Sequence, residues 1–164
     1  MAAEKPLEWA GSSKRDLMGF PDHVRRTVGY ALGVAQLGGK HPSAKPWPMA
    51  RKTETSAQVV TFERSRGNVF ADLGLAEPDE LKTKLVLAVR LNESIQALSL
   101  KQAEVAKRLG IAQPNVSALV NYRLDNFSSE KLLEFFNALG YDVDLLIRPS
   151  RSKGRGAMQV LMAL

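Results

Sequence analysis

The sequence contains no cysteine in 164 residues. That excludes a disulfide framework, a thiolate zinc site and a cysteine nucleophile, and it fits a reducing compartment. Long apolar runs are missing too: no stretch approaches the ~18 residues of a membrane span. The opening MAAEKPLEWAGSSKRD lacks the apolar core of a signal peptide. A cytoplasmic protein without a membrane partner is expected. Histidine is limited to His23 and His41. Neither has a plausible set of partners for general acid–base work, so both are expected as ordinary surface residues. No catalytic residue, metal site or cofactor is expected, and the chain reads as a non-enzyme. What is abundant is positive charge: 23 Lys and Arg against 17 Asp and Glu, net +6. Such a balance suits nucleic acid or another acidic surface.

The chain divides by pattern into four parts. Residues 1–48 open with a short apolar run (Leu7, Trp9). A helical pattern follows from Asp22 to Leu37, with Val24, Val28, Ala31, Leu32 and Ala35 at spacings of 3 and 4. LGGKHPSAKPWP ends it with glycines and blocks continuation with prolines. Residues 49–67 are polar and charged, with one β-like patch at Val59–Phe62, and read as a flexible linker or arm. Residues 68–149 are consistently globular. Residues 150–164 read as a basic, flexible tail.

Within 68–149, NVFADLGL predicts a one-turn helix with Asn68 as cap and Gly74 as stop, placing Phe70, Leu73 and Leu75 on one side. Pro78 suits the first turn of the next helix. There Leu81, Leu85, Ala88, Val89, Ile95 and Leu98 form a stripe at helical spacing. FSSEKLLEFFNALG predicts a helix capped by Ser128, stapled by Phe127 against Leu132 and ended by Gly140. YDVDLLIRP then alternates, which predicts a strand with Tyr141, Val143, Leu145 and Ile147 on one face. A lone strand needs a partner for its backbone, and a second copy of the chain would supply one.

Between these elements lie two short amphipathic runs, Lys101–Leu109 and Gln113–Asn121, joined at Gly110. Helices so short hold together only when packed. Glycine supplies the positive φ that reverses the chain. Small Ala106, four residues earlier, lets the second helix cross closely, and Val116, six residues later, points back into the junction. Val105, Leu109, Ile111 and Leu119 surround it. This is helix-turn-helix spacing. With Val116, Leu119 and Val120 inward, the second helix shows Gln113, Asn115, Ser117, Ala118 and Asn121 outward. Amides there can bond bidentately to adenine and Ala can meet a thymine methyl, so these five are the candidate base readers. Lys101, Gln102, Tyr122 and Arg123 flank them as candidate phosphate contacts. Ser99–Gln102 also spells a capping box, which gives Gln102 a structural alternative.

On these motifs, Asn68–Pro149 resembles the lambda-repressor-like (XRE) antitoxins of HigA type. The resemblance implies a mainly α, lambda-repressor-like helix-turn-helix bundle with one C-terminal β-strand, preceded here by a short strand-plus-helices fragment. It also implies an antitoxin that represses its own operon as a homodimer. Two positions depart from the family, which usually has Thr where Lys101 stands and Ser or Thr where Ala112 stands. Both are helix caps, and losing one costs about 0.5–2 kcal/mol.

A second resemblance covers Lys5–Pro46, KPLEWAGSSKRDLMGFPDHVRRTVGYALGVAQLGGKHPSAKP. It is similar to the N-terminal strand and helices of RelE/HigB-like toxins, which continue into a β-sheet that holds the RNA-cleaving residues. Here MARKTETSAQ follows instead and reads like an antitoxin start at Met49. The expected chain is therefore a truncated toxin fragment fused to its neighbouring antitoxin. The expected function is a sequence-specific DNA-binding transcriptional regulator. Its expected partners are double-stranded operator DNA, a RelE/HigB-like toxin and a second copy. The rival readings are a toxin-binding protein with little DNA binding and an inactive fusion product.

Overall fold

A computed structural model describes residues 4–45, 60–150, 156 and 160. Most of the expected arm and tail, including Val59 and Met49, lies outside the described residues. The contacts divide the chain into two compact units, Met1–Pro78 and Asp79–Leu164.

The first unit runs β1 (Glu8–Ala10), α1 (Ser13–Met18), α2 (Asp22–Gln36), β2 (Phe62–Arg64) and α3 (Val69–Asp72). β1 and β2 are antiparallel, with Glu8 opposite Arg64, Trp9 opposite Glu63 and Ala10 opposite Phe62. The end of the segment read as an arm is thus a strand, and it pairs with the N-terminal stretch. Two further backbone bonds extend the ladder: Gly11 N–H donates to Thr61 O at 2.8 Å and Ser65 N–H to Leu7 O at 2.9 Å. The expected one-turn helix forms as α3, where the Asn68 side chain accepts from the Phe70 and Ala71 amides. Phe70, Leu73 and Leu75 are all buried, as expected.

Helix α2 buries a different face from the one its apolar residues spell. The buried set is Gly29, Tyr30, Gly33, Val34 and Gln36, while Ala35 is exposed and Val24, Val28, Ala31 and Leu32 are half-buried. Glycine carries no hydropathy signal, yet it marks the closest approach. A Cβ on Gly29 would meet the Phe70 ring at 2.9 Å. His41 corrects a second expectation, since it is buried with its Nδ1 accepting from the Ser43 amide at 3.2 Å. His23 is exposed, as expected.

The second unit is α4 (Pro78–Ala97, starting at the unit boundary), α5 (Gln102–Leu109), α6 (Gln113–Val120) and α7 (Ser129–Ala138). α5 packs on α6 and on α7. α4 buries more than one stripe: Leu87, Leu91 and Asn92 are inside together with Leu81, Leu85, Ala88, Val89 and Ile95, while Leu98 is exposed. A helix apolar over so much of its surface is a central one. α7 starts at Ser128, whose hydroxyl accepts from the Lys131 amide, and stops before Gly140 at φ 92°. Phe127 is buried with its ring edge-on to Phe135 at 6.0 Å.

The stretch expected as a C-terminal strand has no ladder partner among the described residues and forms no strand there. Its alternation survives only at the start: Tyr141 and Val143 are half-buried, whereas Leu145, Leu146 and Ile147 are exposed. A strand exists only through its neighbour, and a single chain offers this segment none.

Candidate nucleic-acid interface

The interface is built by α5 and α6. Val105 and Leu109 anchor α5 from one face. Its end is set by Gly110, at φ 63° and ψ 31°, whose N–H donates to Ala106 O. A Cβ at Gly110 would meet nothing within 4 Å, so the position needs glycine for its dihedral angle and not for space. Ile111 N–H also donates to Ala106 O, at 3.1 Å, which closes the turn over the small residue. Helix α6 then runs from Gln113 to Val120, with Val116 and Leu119 fully buried.

Of the five expected base readers, Gln113 and Asn115 are exposed near the N-terminus of α6. Ser117, Ala118 and Asn121 are half-buried. Asn121 turns back on its own helix, its Nδ2 donating to Ser117 O at 2.8 Å. That bond takes one of the two amide hydrogens and ties the side chain to its own helix. Gln113 and Asn115 are therefore the pair that the surface presents outright.

The expected phosphate contacts divide in the same way. Lys101 and Gln102 are exposed at the start of α5, and Arg123 is exposed just past α6. Tyr122 is buried, its backbone at φ 54°, and packs as a core residue. The capping box expected at Ser99–Gln102 is not formed, because Ser99 lies in the turn closing α4 at φ 51°. The cap is Lys101 instead. Lysine has no acceptor, so only the reciprocal half of a box is present: the Lys101 amide donates to Glu104 Oε2 at 2.8 Å. Gln102 is left on the surface.

Three residues escaped the sequence reading. Lys107 and Arg108 put two exposed cations on the last turn of α5, where they also complement the helix dipole. Asn92 is a buried amide on α4 whose Nδ2 reaches the Leu119 carbonyl of α6 at 3.5 Å. Its signal was a polar residue inside an apolar stripe. No helix of the described residues is long and apolar enough to cross a membrane, and no metal-binding cluster occurs among them.

Comparison with known proteins agrees with this geometry. Residues 69–148 match a helix-turn-helix domain family. A solved structure described as an XRE family transcriptional regulator is 48% identical, with 52% of this chain and 97% of that one covered and a TM-score of 0.50. No curated protein matches the chain. A helix-turn-helix with these residues, matched nearly end to end to a solved relative at that identity, makes this chain a member of the XRE family of helix-turn-helix regulators.

Proposed function

We propose that the chain is a sequence-specific DNA-binding repressor of its own operon, of the antitoxin type, acting as a homodimer. The observation that supports it most is the pair of exposed amides, Gln113 and Asn115, at the start of a helix held by the left-handed Gly110 turn. Helix-turn-helix proteins reach base edges with the N-terminal part of the second helix. A face without Arg or Lys favours A·T over G·C pairs. Lys101, Gln102 and Arg123 supply the phosphate contacts that set register without reading sequence. Dimerisation joins Tyr141, Val143, Leu145 and Ile147 to their copies. It presents two α6 helices to half-sites about one DNA turn apart. The antitoxin reading adds a RelE/HigB-like toxin as protein partner.

The test is a binding-site selection followed by titration of the selected DNA, beginning with the region upstream of the gene. Gln113→Ala or Asn115→Ala weakens specific binding by about 1–3 kcal/mol and relaxes preference at one or two base pairs. Arg123→Ala instead lowers affinity for every sequence and flattens the salt dependence by about one unit of slope. Unchanged base preference in both amide variants would show that α6 is not the reader.

A further inference from the structure

The C-terminal end of α6 is closed by two backbone bonds. Tyr122 N–H donates to Leu119 O at 3.1 Å, and Arg123 N–H donates to Ala118 O at 2.9 Å. Helix α7 ends in the same way, with Gly140 N–H on Asn137 O and Tyr141 N–H on Phe136 O. The residue that turns left-handed in this motif is glycine after α7, but after α6 it is Tyr122, at φ 54°. A bulky residue in that conformation is strained, and it persists only where its surroundings over-determine it. Two features of the second unit do so. Tyr122 is buried in the core. From α4, Asn92 Nδ2 reaches the same Leu119 carbonyl at 3.5 Å. Asn92 is itself costly: it is 5% exposed, and its buried Oδ1 has no hydrogen-bond partner among the described residues. A leucine would fill that place without an orphaned acceptor. Core packing alone therefore explains neither residue.

We propose that Asn92 and Tyr122 are positioning residues for DNA recognition, which together fix the place of Arg123 relative to the base readers Gln113 and Asn115. The inference rests on the repressor reading and deepens it. Arg123 directly follows the strained residue, and its amide bond to Ala118 O holds its backbone on the last turn of α6. Gln113 and Asn115 stand on the first turn of the same helix, whose eight residues span about 12 Å. A phosphate contact sets register, and base contacts read sequence only in that register. The Leu119 carbonyl is the point where the turn that carries Arg123 meets the core helix α4. Through it the cation and the two amides address the duplex as one body. Cutting the Asn92 link uncouples them. Non-specific binding needs no such coupling, because any phosphate serves.

The test uses the full chain and two duplexes, the sequence that wild type selects and a scrambled one. Asn92→Leu exchanges the amide for an apolar side chain of similar size, and its circular dichroism matches wild type. It lowers affinity for the selected duplex by about 10-fold and leaves affinity for the scrambled duplex within about 2-fold. On the selected duplex the salt dependence flattens by about one unit of slope, as the loss of one phosphate contact requires. In a chain that already carries Arg123→Ala, Asn92→Leu changes affinity by less than about 2-fold, because the contact it positions is gone. Tyr122→Gly keeps the left-handed turn without strain but removes the buried ring. It acts in the same direction, and it decides the question should Asn92→Leu not fold. A merely structural role would move the thermal midpoint and leave the ratio of the two affinities unchanged. An unchanged ratio in both variants, or losses that simply add to that of Arg123→Ala, would overturn this inference and leave the repressor reading intact. A wild-type chain that selects no sequence would overturn both.

Discussion

Ala112 and Lys101 occupy N-cap positions with normal extended cap geometry, at φ −66°, ψ 146° and φ −75°, ψ 153°, but neither side chain accepts a hydrogen bond. The backbone of each helix start is ready for a cap that the side chain does not provide. At α6 the first turn also contains Pro114, which has no N–H, so the donor within reach of a capping oxygen is Asn115. Ala112→Ser supplies that oxygen and should stabilise the second unit by about 1 kcal/mol, seen as a rise of about 4–8 °C in its thermal midpoint. No rise would mean that the Asn115 amide already has a satisfactory partner in the Ala112 carbonyl. His41 carries the other prediction that turns on one side chain. Burial lowers its pKa from 6.5, so the folded chain binds fewer protons than the unfolded one between the lowered value and 6.5. Its contribution is present above pH 6.5 and is lost as pH falls towards the lowered value. Thermal melts of wild type should therefore drop across that window, and His41→Gln should flatten the drop. An equal slope in the variant would assign the pH dependence elsewhere.

The turn between α5 and α6 depends on one dihedral angle. Gly110→Ala meets no atom within 4 Å yet keeps φ at 63°, so its cost is conformational, about 1–2 kcal/mol. Circular dichroism in denaturant should show that loss with an unchanged slope, whereas a loss well above it would point to a clash that the geometry does not contain. This junction is also where the sequence was most readable. Ala106, Gly110 and Val116 lie within a span of about ten residues, and α5 and α6 begin and end within one residue of expectation. The Asn68 and Ser128 caps were readable for the same reason, since donor and acceptor lie within three residues. In the first unit α2 and α3 were readable, but the packing between them was not. The partner of Trp9 is Asp72 and the partner of Gly29 is Phe70, and periodicity carries nothing about contacts so distant in sequence. It pointed to Val24 and Val28, whereas the close face of α2 is made by glycines. At α6, periodicity separated inside from outside but could not show that Asn121 spends its amide on Ser117.

The segment after α7 leaves Leu145 79%, Leu146 84% and Ile147 94% exposed in the single chain. Three consecutive apolar side chains in water, beside unpaired backbone groups, are the usual template for strand pairing with another molecule. Sedimentation at micromolar concentration should give a dimer, and Leu145→Asp with Ile147→Asp should give a folded monomer that binds a single half-site weakly. A wild-type monomer with intact fold would remove the two-fold arrangement proposed for DNA. The two-stretch construction of the first unit has a consequence of a different kind, in the timing of synthesis. Register sets Glu8 opposite Arg64, so β1 waits for about 56 further residues before its partner strand exists. At the usual ~5–20 residues per second of translation that delay is about 3–11 s. Through those seconds Trp9 lacks its Asp72 partner and Tyr30 lacks the ring of Phe70. The nascent chain is therefore open to chaperones throughout that interval.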